Sequence, residues 1–197
     1  MRRHLPAAGH SPEEIYSLLT TSVVPRPIAW VSTRAADGVP NLAPYSFFTI
    51  ASQEPPIVSI TSVGEKDTLR NIQETGEFCV NIVPEELIDE VNASSAPFGR
   101  HVDEFAAVGA TPEPAEIIEA PRVAESPVSI ECTLHALVPV GNGVLVLGEV
   151  VAFDIDESVL GEDGFPLVDR LRPASRLGRN EWGLAPRTTE RERPTAP

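Results

Sequence analysis

Apolar and polar residues alternate with a two-residue period along several parts of the chain. The clearest case is 128–140, where Ser129 and Glu131 alternate with apolar neighbours, as in a half-buried strand. A glycine-rich turn at 141–143 leads into 144–153, which is apolar on both faces, as a barrel strand would be. The pattern therefore predicts a long antiparallel hairpin.

Helix signals occur at three places. The segment 11–14 places a serine, a proline and two glutamates in capping-box order and predicts a helix over 12–20. A second helix is predicted over 67–75, closed by Gly76, and a third begins at Pro84. These helices are short and separated by strand patterns.

Four further segments rich in β-branched and aromatic residues predict strands at 27–34, 40–50, 55–63 and 77–83. Prolines 40 and 44 indicate that the second of these lies at a sheet edge or has an irregular ladder of hydrogen bonds. Residues 97–127, rich in Pro, Glu and Ala, are interpreted as an excursion over the surface. Six strands without βαβ alternation predict a mainly β fold, an antiparallel barrel of Greek-key type with peripheral helices.

Length and charge narrow the class of protein. The 197 residues suit one domain, predicted at 11–184, with a flexible N-terminus at 1–10 and a disordered tail at 185–197. The formal net charge of −14 argues against nucleic acid and anionic membranes as partners. Neither a membrane-spanning apolar run nor a secretory signal is visible, so we expect a cytoplasmic protein.

A strand end followed by a helix start at 61–68 offers the groups that bind phosphate. The first N–H groups of a helix lack internal partners, and Thr61, Ser62 and Thr68 add hydroxyl groups. Lys66, the only lysine of the chain, adds an ammonium group. A turn capped by Asp67 remains the alternative, with Lys66 as a survivor of a lysine-poor composition.

The segment "NLAPYSFFTIAS" mixes polar and aromatic groups. Asn41 and Ser46 lie beside Phe47 and Phe48, which suits a flat heteroaromatic ring whose edge needs hydrogen bonds. Because adjacent strand residues face opposite sides, at least one of the two phenylalanines is expected in the core.

Other chemistry is not indicated. Cys79 and Cys132 fit buried free thiols, and the acids beside His101 fit a solvated helix start, so no metal site is predicted. The sequence contains no GxGxxG, no P-loop and no GxSxG motif. Nucleophilic hydrolysis is therefore not expected.

Six blocks resemble, in order, the motifs of the flavin reductase-like family with the FMN-binding split-barrel fold. The resemblance covers roughly residues 20–180. The blocks are "PRPIAWVSTRAADGVPNLAPYSFFTIASQEPPIVSI", "KDTLRNIQETGEFCVNIV", "VNASSAP", "VDEF", "PRVAESPVSIEC" and "LGEVVAFDID".

The resemblance implies a homodimeric split β-barrel that holds FMN without a covalent bond and receives a hydride from NADH or NADPH. It places Asn41, Ser46, Phe47 and Phe48 along the isoalloxazine ring and the ribityl chain of FMN. It places Thr61, Ser62, Lys66, Asp67 and Thr68 around the phosphate of FMN. Arg26 is a candidate for a flavin or nicotinamide contact, with a surface ion pair as the alternative. Trp182 stands near the position of a family tyrosine over the ring.

Three functions are compatible with the sequence. The first is a flavin reductase, which can serve a partner monooxygenase and needs no catalytic side chain because the flavin carries the chemistry. The second is a flavoredoxin-like electron carrier without a nicotinamide site. The third is a barrel without cofactor whose acidic surface binds a protein.

Overall fold

The computed structural model describes residues 1–194 of the chain. The helices are α1 (Pro12–Ser22), α2 (Asp67–Thr75), α3 (Ile88–Ala93), α4 (Glu104–Val108) and α5 (Val168–Leu171), with 3-10 turns at Glu85–Leu87 and Glu157–Val159. The strands are β1 (Arg26–Pro27), β2 (Ala29–Arg34), β3 (Pro40–Tyr45), β4 (Phe48–Ser52), β5 (Ile57–Val63), β6 (Glu77–Ile82), β7 (Pro112–Glu113), β8 (Arg122–Val123), β9 (Val128–Val140), β10 (Gly143–Ile155), β11 (Ser175–Arg176) and β12 (Trp182–Gly183).

The main sheet has seven strands in the order β3-β2-β6-β9-β10-β5-β4, all antiparallel. Its two edge strands, β3 and β4, follow one another in the chain and are joined only by Ser46 and Phe47. The sheet must therefore curl until its edges meet, although they do not pair. This is a barrel with one open seam, and it confirms the predicted antiparallel split barrel.

Local signals explain several element ends. Ser11 accepts a hydrogen bond from the backbone N–H of Glu14, whose side chain accepts from the N–H of Ser11, so the predicted capping box is present. Helix α2 ends at Gly76, which has a φ of 74°. The edge position predicted from Pro40 and Pro44 is confirmed, because β3 is the first strand of the sheet.

Three predicted segments differ from the structure. The strand expected over 40–50 is two strands, broken where the barrel opens. The helix expected from Pro84 begins as a 3-10 turn and continues as α3. The excursion 97–127 contains α4 and places Phe105 in the interior with no exposed surface, so it covers the barrel instead of only crossing its surface.

The strand pattern at 128–140 is also only partly right. Ser129 and Glu131 were expected on a solvent face, but both are 1% exposed. Glu131 accepts hydrogen bonds from three successive backbone N–H groups, those of residues 116–118. The segment carrying those groups lies over β9 and buries the face that alternation assigns to water. His135, further along the same strand, is exposed, with Nδ1 3.5 Å from Glu149 Oε2.

Two apolar clusters hold the site in place. The barrel interior includes Val31, Ile60, Ile72 and Phe78. The second cluster packs α3 and α4 against the outside of β2 and β3. Its members include Trp30, Leu42, Val83, Val91 and Phe105. The N-terminus of α2 and the segment after α3 are thereby fixed on one side of the barrel.

Among residues 1–194, no helix is both long and apolar enough to span a bilayer. The part of the predicted tail that is described, 185–194, contains no helix or strand, and residues 195–197 lie outside the described residues. Cys79 and Cys132 are buried free thiols, as predicted.

Candidate functional site

A cavity of ≈310 Å³ opens at the N-terminus of α2. Four parts of the fold meet there: β3, the start of α2, the segment after α3, and α4. The polar residues that line it include Asn41, Lys66, Asp67, Thr68, Ser94, Ser95 and Glu104. Four residues predicted from the sequence, Asn41, Lys66, Asp67 and Thr68, are thus brought together.

The start of α2 has no side-chain cap. Lys66 occupies the N-cap position in an extended conformation, and no side chain among residues 1–194 caps the helix there by accepting a hydrogen bond. Asp67 does not serve as the cap, because its carboxylate pairs with Arg70 at 2.8 Å. The first N–H groups of α2 therefore remain without a side-chain acceptor in a cavity that also contains an ammonium group. Such an arrangement favours an oxyanion.

Hydrogen bonds orient the side chain of Asn41 at the cavity wall. Its Oδ1 accepts from Thr68 Oγ1 at 2.7 Å, and its Nδ2 donates to Glu104 Oε2 at 2.6 Å. The same carboxylate oxygen accepts from the backbone N–H of Leu42 at 2.6 Å. The network ties β3 to α2 and α4, so the cavity is shaped before any ligand enters.

Glu104 is the residue that sequence reasoning missed. It was grouped with a solvated helix start, and Asp103 does cap α4 by accepting from Ala106 N at 3.1 Å, but Glu104 itself is only 7% exposed. Burial raises the pKa of Glu104 to about 7, the hydrogen bond from Leu42 opposes the rise, and Asp67 and Asp103 add to it. A buried acid that titrates near neutrality faces the same cavity as Lys66.

A second cavity of ≈160 Å³ adjoins the first. The two share Pro44 and Ser95 in their linings. Ile28 and Val91 give the second cavity apolar walls, and Trp182 lines it. This mixture of an aromatic, apolar groups and a few hydroxyls suits a planar ring.

Trp182 is held at this cavity by its neighbours. It lies on β12, packs against the second apolar cluster, and has the guanidinium carbon of Arg176 4.8 Å from its ring centroid. Strand β11, which carries Arg176, pairs with both β1 and β12. Arg176 was not predicted as a site residue, because its place depends on pairing across 150 residues of sequence.

The other predicted residues lie apart from these two cavities, except Ser46, which lines the second. Thr61 is half-buried, and Ser62 is buried and donates to the carbonyl of Gly64 at 3.2 Å. Phe47 is 38% exposed, whereas Phe48 packs against the barrel core, as expected for one of the pair.

Within residues 1–194, Arg26 has no partner for the surface ion pair considered from the sequence. Its side chain is buried and donates to the backbone carbonyls of Thr20, Val23 and Leu177 at 2.5, 2.9 and 2.8 Å. It lies near Ser46, with Nε 3.5 Å from the hydroxyl. Arg26 therefore ties the end of α1 to the C-terminal segment beside the seam of the barrel.

The residues present fit a ligand with a phosphate at one end and a planar ring at the other. The first cavity supplies uncapped N–H groups and an ammonium, and the adjoining one supplies an aromatic wall. Among residues 1–194, no group of three or more His, Cys, Asp or Glu residues forms a metal site.

Comparison with known proteins gives a consistent result. Residues 21–175 match the family model described as "Flavin reductase like domain". Nitrilotriacetate monooxygenase component B from Bacillus cereus is similar in structure, with 32% identity, a TM-score of 0.92, and coverage of 96% of this chain and 98% of the other.

Two further solved structures are similar over nearly their whole length. The 2-nitrobenzoate 2-nitroreductase of Pseudomonas fluorescens has 34% identity and a TM-score of 0.87, covering 99% of this chain and 96% of the other. The flavoredoxin of Desulfovibrio vulgaris (Miyazaki F) has 25% identity and a TM-score of 0.81, covering 97% of each.

Proposed function

Because the chain belongs to the flavin reductase-like domain family, we propose that it is an FMN-binding oxidoreductase that accepts a hydride from NADH or NADPH. The observation that carries the proposal is the uncapped N-terminus of α2, where Lys66 lies in a strongly acidic protein. A phosphate group satisfies both features at once.

In this proposal each wall of the site has one task. Lys66 and the first N–H groups of α2 bind the phosphate of FMN. Asn41 and Thr68, already hydrogen-bonded to each other, orient the chain between phosphate and ring. Ser46 and Trp182 line the cavity proposed for the ring, and Ile28 and Val91 supply the apolar walls against which the ring packs.

Bound FMN supplies the hydride chemistry, so no side chain has to act as acid or base. The protein's contribution is position: rigid walls hold the ring and leave room for a donor to lie against it. The absence of a predicted catalytic dyad is consistent with this division of tasks.

The proposal is tested in two steps. FMN is titrated into the purified chain, and binding is followed by quenching of flavin fluorescence. The loaded protein is then mixed with NADH or NADPH without oxygen, and the loss of flavin absorbance is recorded. We expect binding and rapid loss with at least one donor. A protein that takes up no FMN would instead support a barrel that binds a protein partner without cofactor.

The similarity to a flavoredoxin favours one alternative, an FMN protein that passes electrons without a nicotinamide site. The second step separates the two functions. If FMN binds but stays oxidised for minutes with both nicotinamides, while dithionite reduces it, the electron carrier is the better description.

We also infer a homodimer, and a monooxygenase as an acceptor of the reduced flavin. Large apolar side chains are exposed on the barrel, among them Ile50 at 78% and Phe153 at 60%, and a second subunit would cover such surface. The similarity to a monooxygenase component supports the acceptor. Light scattering tests the dimer: a monomer that binds FMN tightly would contradict it.

A further inference from the structure

A third cavity, of ≈140 Å³, lies on the other side of Ser46. We call it the arginine pocket, because Arg26, Arg176 and Arg179 all line it. It shares Ser46 and Arg176 with the cavity of Trp182. The three cavities therefore form a row, from Lys66 through Trp182 to the arginines.

Within the described residues 1–194, no Asp or Glu lines the arginine pocket. Among residues 1–194, Arg26, Arg176 and Arg179 form no ion pair with a carboxylate, as is true of most arginines of the chain; Arg70, Arg100, Arg122 and Arg172 do form one. The chain has 29 acidic residues against 15 basic ones. In such an acidic protein, a pocket whose described lining has three arginines and no acid favours an anionic ligand.

Arg26 forms a fixed wall of the arginine pocket. Arg26 is 8% exposed and fixed by three backbone carbonyls. Burial lowers the pKa of Arg26, Tyr16 opposes this, and the charge of Arg176 lowers it further, which places the two cations within electrostatic range.

Arg176 is held by the segment between β11 and β12, to which the exposed Arg179 belongs. Arg176 stacks on Trp182 and donates to the carbonyl of Arg179 at 2.9 Å. Arg179 has a φ of 56°, in the left-handed region that non-glycine residues seldom adopt. A Cβ at Gly178 would lie 2.5 Å from Thr21 Cγ2 on α1, so close packing against this helix requires glycine there.

We propose that the arginine pocket binds the oxyanion group, carboxylate or phosphate, of the small molecule that exchanges electrons with the flavin. The inference rests on the proposed function only for the flavin that would lie beside the pocket. Arg176 is central, because it lines both the ring cavity and the pocket, and Ser46 adds a hydroxyl at the same boundary. A ring over the flavin could thus place an acidic substituent among the arginines.

The test uses isothermal titration calorimetry with simple anions, on FMN-loaded and on FMN-free protein. Benzoate represents a carboxylate acceptor, neutral benzamide is its matched control, and inorganic pyrophosphate represents the phosphates of a dinucleotide donor. We expect one anion to bind and benzamide not to bind. The anion that binds identifies the source of the oxyanion group.

The variants Arg176→Gln and Arg179→Gln are each expected to weaken that binding about tenfold, the loss of one charge-assisted hydrogen bond. Arg187→Gln, an exposed residue outside the three cavities with the same change in charge, is expected to have no effect. Arg26 is not altered, because it supports α1.

Three results would overturn the proposal: no binding of either anion, equal binding by wild type and both variants, or variants that lose FMN affinity while anion binding is unchanged. The last would assign the arginines to the flavin. If wild type takes up no FMN but the FMN-free protein binds an anion through Arg176 and Arg179, the pocket is confirmed and the proposed function fails.

Discussion

Glu104 makes the stability of this protein depend on pH in a calculable way. The folded protein raises its pKa from 4.5 to about 7, so the folded state holds the proton more tightly than the unfolded chain. Stability from this group is therefore highest below pH 4.5, falls as pH rises to about 7, and is constant above it. The shift corresponds to about 3 kcal/mol.

The variant Glu104→Gln isolates the contribution of Glu104 to the free energy of unfolding. A glutamine is neutral at every pH, and its carbonyl oxygen can still accept from Leu42 N and Asn41 Nδ2, the two present donors. We expect wild type and variant to differ little in free energy of unfolding at pH 4.5. At pH 8 the variant is expected to be more stable by up to about 3 kcal/mol, since wild type then buries a charge.

Urea unfolding of both FMN-free proteins at pH 4.5, 6 and 8 measures the difference in their free energies of unfolding. Contributions from groups that titrate in both proteins cancel in this difference. Glu116→Gln, at an exposed site, serves as the matched control and should leave the pH profile unchanged. If the free energy of unfolding of wild type stayed parallel to that of Glu104→Gln across this pH range, the claim that burial raises the pKa of Glu104 would be refuted.

Two further predictions concern packing and hydrogen bonding. In Gly148→Ala the new Cβ would lie 2.2 Å from Phe78 Cζ, so we expect the free energy of unfolding, measured in urea, to fall by about 1–3 kcal/mol. In the control Gly99→Ala the nearest atom to the new Cβ is at 4.0 Å, so its stability should be nearly that of wild type. Equal losses in the two variants would contradict the reasoning. Ser94→Ala leaves the buried Trp30 Nε1–H without its acceptor at 2.9 Å, which should cost about 1–3 kcal/mol in the same assay. An unchanged midpoint there would show that the indole finds another partner.

The sequence was sufficient wherever a short-range rule decided the outcome. The capping box at Ser11, the helix end at Gly76 and the edge strand at Pro40 each depend on residues within a few positions. The start of α2 beside Lys66 is of the same kind, since a helix start is visible locally. These features appear in the structure where they were predicted.

Long-range contacts decided the rest. Alternation predicts solvent at Glu131, but residues 116–118 cover it and donate three hydrogen bonds to it. Glu104 looks like a helix-start acid until Asn41 and Leu42 are placed against it. The role of Arg176 depends on strand β11 pairing with β1, which no local pattern encodes.

The central claim, that the start of α2 holds the phosphate of FMN, is tested most directly with two ligands and two proteins. FMN and riboflavin, which lacks the phosphate, are each titrated into wild type and Lys66→Ala by fluorescence quenching. We expect the variant to lose about 1–3 kcal/mol of affinity for FMN and none for riboflavin, with Lys66→Arg close to wild type for both. An FMN dissociation constant unchanged in Lys66→Ala, or an equal loss for riboflavin, would contradict the account.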